Sequence, residues 1–330
     1  MKKKINMAGI IFVLLGILIA VTALIAIGFN FENLVDITEA TVEINEDFNA
    51  IEILASEADV TIMPSSNGKC SITTKCVKGG EIVYSVKDGK LLIEEKEEGY
   101  ETFGIACNSV ILYLTKDVYN WLKISGSSGD TDISGVKFDR AEMNVSSGNI
   151  KILSDIFDLS IDIITGNISL KNIKLTTLSI EGSTGDVALE NVEIANGASI
   201  KASTADVKVL NSKIGSTLSV ELRTGELTVE NATVGNMHAE AITGDMEFKS
   251  LISLGEIKLK ATTADIELNG CDASTLNIET STGEVNGRLL SSKIFYVSTS
   301  TGDVSVPMGT EGGICQVKTS TGDVTFIISK

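Results

Sequence analysis

One short motif carries most of the chemistry this chain can offer: Ser or Thr, then Gly or Ala, then Asp, Asn or Glu. Its central residues are Gly129, Gly148, Gly166, Gly185, Ala205, Gly225, Gly244, Ala264, Gly283, Gly302 and Gly322, spaced 18 to 20 residues apart. With that residue as position 0, position +1 holds Asp130, Asn149, Asn167, Asp186, Asp206, Glu226, Asp245, Asp265, Glu284, Asp303 and Asp323. Position −1 is a hydroxyl residue in all eleven copies. Stacked in register, these residues would make an acidic ladder beside a hydroxyl ladder. Oxygen ligands of this kind suit Ca²⁺, so Asp186, Asp206, Asp245, Asp265, Asp303 and Asp323 are candidates for weak cation binding. The plainer reading has each carboxylate accepting a turn N–H while remaining solvated. Unit charges about 5 Å apart in water repel by about 0.8 kcal/mol, and either arrangement must offset that. The Ca²⁺-binding nonapeptide repeat is absent.

Other reactive side chains are sparse. His238 is the lone histidine and falls at position −6, an outward phase, where a solvated surface role is expected. Arginine occurs only as Arg140, Arg223 and Arg288, and Arg223, at −2, reads as an ion-pair partner of Glu226. Glycan-cleaving β-helices need paired carboxylates or a basic residue in a groove walled by long loops. The repeats here are nearly free of insertions, and Phe248, Phe295 and Phe326 occupy inward phases. No catalytic residue and no cofactor is therefore assigned, and a polysaccharide-acting enzyme is only the remote alternative. A net charge of −17 leaves no basic stripe for nucleic acid. No cysteine pair has zinc-ligand spacing. Cys107 could pair with Cys70 or Cys76 after export, or all five cysteines could be small buried thiols.

The elements that would hold the motif follow from its flanks. Apolar residues recur at −7 and −5, as in Leu178 and Ile180 or Leu218 and Val220. They recur again at +2 and +4, as in Val187 and Leu189 or Leu227 and Val229. Each pair has the period of a strand with one buried face. The parity changes across position 0, so the chain must bend there, and it changes again before Val192, Ala232, Leu251 and Cys271 at +7. Position +6 reads Asn172, Asn191, Asn211, Asn231, Ser250 and Gly270, types that tolerate a left-handed corner. Stacked Asn side chains can also bond from coil to coil.

A fixed period of this size is the mark of stacked units. The expected fold is all-β: a parallel β-helix, or β-solenoid, of about eleven coils over 121–330 with about 19–20 residues each. Residues 32–120 are expected to supply a first coil, 51–62, and a cap containing a hairpin at Asp88-Gly89. Residues 110–114 read as a further strand of that region.

Residues 1–31 differ from the rest. Lys2, Lys3 and Lys4 precede an uncharged run whose apolar centre, 8–29, is long enough for one transmembrane helix. Basic residues stay on the cytoplasmic side, which places the remainder outside the cell. A cleaved signal peptide is the rival reading, with a poor small-residue site at Ala26-Ile27-Gly28. At the other end, the strand of 324–330 reads as an open edge, through which the C-terminal coil could associate with a second copy.

An exported anchor followed by strand pairs with turns such as ISGSSGDTDI, EGSTGDVALENV and TSTGDVTF resembles the bacterial putative-adhesin family of unknown function, which includes LiaG-like proteins of envelope-stress operons. The resemblance covers about 36–330. It implies a binding or scaffold module at the cell envelope, with an unknown envelope protein or polymer as partner. The alternative it implies is an accessory component of envelope-stress signalling. Its motifs are structural turns, so no site residue is carried over from it.

Overall fold

In the computed structural model, which describes residues 37–77, 80–97 and 107–329, every regular element is a β-strand. The first nine are β1 (Ile37–Glu43), β2 (Ala50–Leu54), β3 (Asp59–Pro64), β4 (Ser71–Val77), β5 (Gly80–Lys87), β6 (Lys90–Glu97), β7 (Cys107–Leu114), β8 (Val118–Gly126) and β9 (Thr131–Ser134). Strands β10 (Lys137–Ser147) to β24 (Ile266–Cys271) continue the array. It ends with β25 (Thr275–Glu279), β26 (Val285–Leu289), β27 (Lys293–Ser298), β28 (Val304–Ser305), β29 (Gly313–Lys318) and β30 (Val324–Ile328).

Each regular coil has three sides, as β15 (Thr177–Thr184), β16 (Val187–Glu190) and β17 (Glu193–Ile194) show. Equivalent residues of successive coils pair in parallel: Leu178 with Ala198, Val187 with Val207, Glu193 with Lys213. Leu178, Ile180, Val187, Leu189, Val192 and Ile194 of this coil are all buried. A single coil has nothing to cover that inner face, so neighbouring coils must.

Nine of the eleven corners at position 0 use positive-φ backbone that most residues avoid, Ala205 and Ala264 being the two that do not. At position 0, Gly185 has φ 127°, and a Cβ there would lie 2.1 Å from the Gly166 carbonyl oxygen of the coil beneath. The second corner is the expected +6 site, where Asn172, Asn191, Asn211, Asn231 and Ser250 have φ between 50° and 55° and Gly270 has φ 67°. The amide ladder is present too: Asn191 Nδ2 donates to Asn172 Oδ1 at 3.0 Å, and Asn231 Nδ2 to Asn211 Oδ1 at 3.2 Å.

The two ends depart from chain order. At the N-terminal end, β2 lies between β6 and β8, and β3 between β7 and β9. The coil read as the first, 51–62, is thus the second layer, and β6 with β7 lies outside it. Antiparallel strands then close this end: β5 pairs with β6, β4 with β7, and β1 with β4. The β5–β6 turn is the expected hairpin, with φ 51° at Asp88 and 73° at Gly89.

The C-terminal end is crossed in the same way. β29 lies between β25 and β27, and β30 between β26 and β28. The last coil of the sequence is therefore interior, and the expectation of an open edge at 324–330 is corrected. Both edges of β30 are paired, and the outermost layer is β27 with β28. Eleven motif-centred coils plus the layers β2/β3 and β6/β7 make thirteen layers, a rod of roughly 60 Å at about 4.8 Å per layer.

No helix among the described residues is long and apolar enough to cross a membrane. The apolar run at 8–29 lies outside the described residues.

Candidate functional site

The acidic ladder exists, and its geometry explains why the column tolerates itself. Asp186 Oδ1 accepts the Asp206 N–H at 3.1 Å, and Asp206 Oδ1 accepts the Glu226 N–H at 2.9 Å. Asp245 serves Asp265 at 2.9 Å, Asp265 serves Glu284 at 2.8 Å, and Asp323 serves Asp303 at 2.8 Å. Asn149 plays the same part toward the Asn167 N–H at 3.1 Å. One oxygen of each of those five Asp residues thus binds the backbone of the next layer outward. The acceptance of a solvent-exposed backbone amide by a charged oxygen, worth more than a neutral bond, works against the repulsion between layers. Asp303 occupies the outermost layer, so its carboxylate has no further coil to serve. Among the described residues no group of three or more His, Cys, Asp or Glu side chains could hold a metal.

A second linear feature runs along the longest side of the coils. Residues at −4, −3 and −2 of six successive coils line an open groove of about 550 Å³. Its floor is the backbone near Gly182, Ala202, Ala241 and Ala261, and its walls are the outward side chains on either side. Lys201, Arg223 and Lys260 supply positive charge, while Asp162, Glu181, Glu221 and Glu240 supply negative charge. Lys201 bonds Glu221 across adjacent coils at 3.2 Å. Arg223 makes no ion pair among the described residues; it faces this groove instead of meeting Glu226 as expected. The reason is geometric: position −2 and position +1 lie on opposite sides of the Gly225 corner. The groove was missed in the sequence because its lining is a column through six coils, and no local motif marks it.

His238 is half-exposed, with Nε2 3.7 Å from Glu256 Oε2, in agreement with its outward phase. Phe248 and Phe326 are buried, and Phe295 packs on Phe326 with ring centroids 5.3 Å apart. Of the cysteines, Cys76 and Cys107 form a disulfide that joins β4 to β7. Cys70, Cys271 and Cys315 are free. Burial pushes the thiols of Cys70 and Cys271 up to about 11 and that of Cys315 up to about 12, which leaves little thiolate for nucleophilic chemistry.

These features define a repeat rod whose polar faces are open along its length, a class of protein that offers extended surfaces. The chain belongs to the Toastrack DUF4097 family, whose family model matches residues 48–245 and 215–330. Among solved structures, a putative adhesin of Parabacteroides distasonis is similar at 14% identity and TM-score 0.47, over 76% of this chain and 97% of its own. A putative adhesin of Bacteroides fragilis is similar at 12% identity and TM-score 0.34, over 88% of this chain and 97% of its own. A putative lipid binding protein of Parabacteroides distasonis is similar at 14% identity and TM-score 0.36, over 87% and 96%. No curated protein matches.

Proposed function

We propose that this protein is a membrane-anchored, extracytoplasmic, non-enzymatic binding rod that holds an extended polymer of the cell envelope along its long groove. The observation that carries the reading is the groove itself, continuous over six coils, with the cations Lys201, Arg223 and Lys260 set among the carboxylates of Asp162, Glu181, Glu221 and Glu240. An open trough of fixed charges suits a linear, charged partner; it gives no enclosed site where water could be excluded from a reaction. Two further observations support the setting. Lys2, Lys3 and Lys4 precede the apolar run 8–29, in the order that leaves the rod outside the cell. The Cys76–Cys107 disulfide is the kind of bond that persists in an oxidising compartment.

The test is co-sedimentation of the full chain, in detergent, with isolated bacterial cell-wall fragments. The parent chain should pellet with them, and the triple variant Lys201→Glu, Arg223→Glu, Lys260→Glu should remain in the supernatant. Equal pelleting of both would refute the groove as the binding face. Protease added to intact cells tests the setting separately, because an exported rod is digested and an internal one survives.

A further inference from the structure

The two ends of the rod are finished differently. At the N-terminal end, the inward residues of the outermost coil, Leu91, Ile93, Val110 and Leu112, are fully covered. The antiparallel strands β4 and β5, together with Ile44, Phe48 and Ile72, complete that cap. At the other end, the outermost coil presents Phe295, Val297, Val304 and Val306 at the same inward phases. All four are left partly or wholly open, with Val304 47% exposed, whereas the equivalent Val324 in the layer beneath is at 0%. Tyr296 and Met308 stand exposed beside them. The strands β27 and β28 pair only with β29 and β30, so their outer backbone edge is also free among the described residues. Core cross-section and hydrogen-bonding edge are thus open together, at one end alone.

We infer that this tip is an interface for a second copy of the chain, joined tip to tip about a two-fold axis. A covering partner must match a three-sided cross-section and supply a backbone edge along both β27 and β28. The same tip of a second copy has that outline, and a two-fold axis sets its strands antiparallel to these, as edge pairing permits. Head-to-tail stacking is ruled out by the closed N-terminal cap. Charge also favours self-contact here. The full chain carries a net charge of −17, yet residues 293–310 contain only Lys293 and Asp303 as charged groups, and Lys293 is buried. Like-charge repulsion between two rods is therefore least where the core is open. The inference does not depend on the groove or on what fills it.

Light scattering and sedimentation of the full chain in detergent test it, alongside Val304→Lys and Met308→Lys. The parent should be a dimer at about 100 μM, and each variant should dissociate at least about tenfold more readily. Met308 is fully exposed, so its substitution leaves the fold intact and decides the matter even if Val304→Lys unfolds. Val42→Lys at the opposite end is the control and should leave the dimer unchanged. A monomeric parent would overturn the inference. So would a dimer that survives Met308→Lys and Val304→Lys, since the contact would then lie elsewhere, the anchor included. Loss of wall binding with the dimer retained would count against the proposed groove and leave the tip contact standing.

Discussion

The buried ammonium of Lys293, first residue of the outermost coil, lies 2.7 Å from Asp272 Oδ1, on the third side of the coil centred on Ala264. Ser291 donates to the same oxygen at 2.7 Å and also bonds the Lys293 amine. The pair ties the crossed end of the rod back to the regular stack. Asp272→Asn would leave a buried ammonium without its counter-charge, at a cost of about 3–5 kcal/mol. Urea unfolding should show that loss, and hydrogen exchange should show β27 opening first. Adding Lys293→Met to Asp272→Asn should recover most of the stability.

The same pair fixes an acid dependence. Burial resists ionisation of Asp272, but the bonds from Lys293 and Ser291 outweigh it and hold its carboxyl below the usual carboxylate range. Asp155 is depressed likewise: burial opposes, and Lys137 and the Lys174 amide prevail. A carboxyl with a lowered folded value stabilises fully above the unfolded value, near 3.9, and loses that contribution as pH falls through the folded one. Melting temperature should therefore hold level down to about pH 4 and then fall. In Asp272→Asn the fall should be shallower.

Cys76→Ser should cost about 2–4 kcal/mol and loosen the cap, because the disulfide closes a span of 31 residues between β4 and β7. Cys271 and Cys315 are fully buried, with thiols pushed up to about 11 and about 12. Iodoacetamide at neutral pH should leave both unmodified in the folded protein. Rapid labelling of either would contradict the packing described.

Asp206→Asn should change stability by less than about 0.5 kcal/mol, because an amide oxygen can still accept the Glu226 N–H, as Asn149 does for Asn167. Thermal melts with and without Ca²⁺ check this, since a bound cation would make the parent alone respond. Gly185→Ala should be far worse, by about 2 kcal/mol or more, as its Cβ would meet the Gly166 carbonyl oxygen at φ 127°.

What the sequence disclosed was whatever a single coil decides for itself. The left-handed corners at Asn172, Asn191, Asn211 and Asn231 were legible because one residue type satisfies a local backbone demand. The inward pairs were legible from their period. Layer order was not. Phe295 and Val297 of β27 present the same apolar phases as Cys315 and Val317 of β29, so β25 could accept either as its neighbour, and nothing local records the choice. The disulfide partner was hidden for the same reason, since it depends on the antiparallel β4–β7 pairing. One signal was readable and passed over. Lys293 is the sole basic residue in the column Asn120, Asp139, Phe157, Thr176, Asn196, Ser216, Gly235, Gly255, Ser274, Lys293 and Gly313, and that is where the buried ion pair sits. The groove was illegible until coils were stacked.

The crossed ends bear on how such a rod can lengthen over generations. A coil duplicated between Gly129 and Gly283 slots into a stretch where sequence order and spatial order agree, and it disturbs only its two neighbours. A coil duplicated beside β2 or β29 would have to be threaded between layers already committed to each other. Growth and loss are thus confined to the middle of the gene, while the two termini are inherited as fixed fittings.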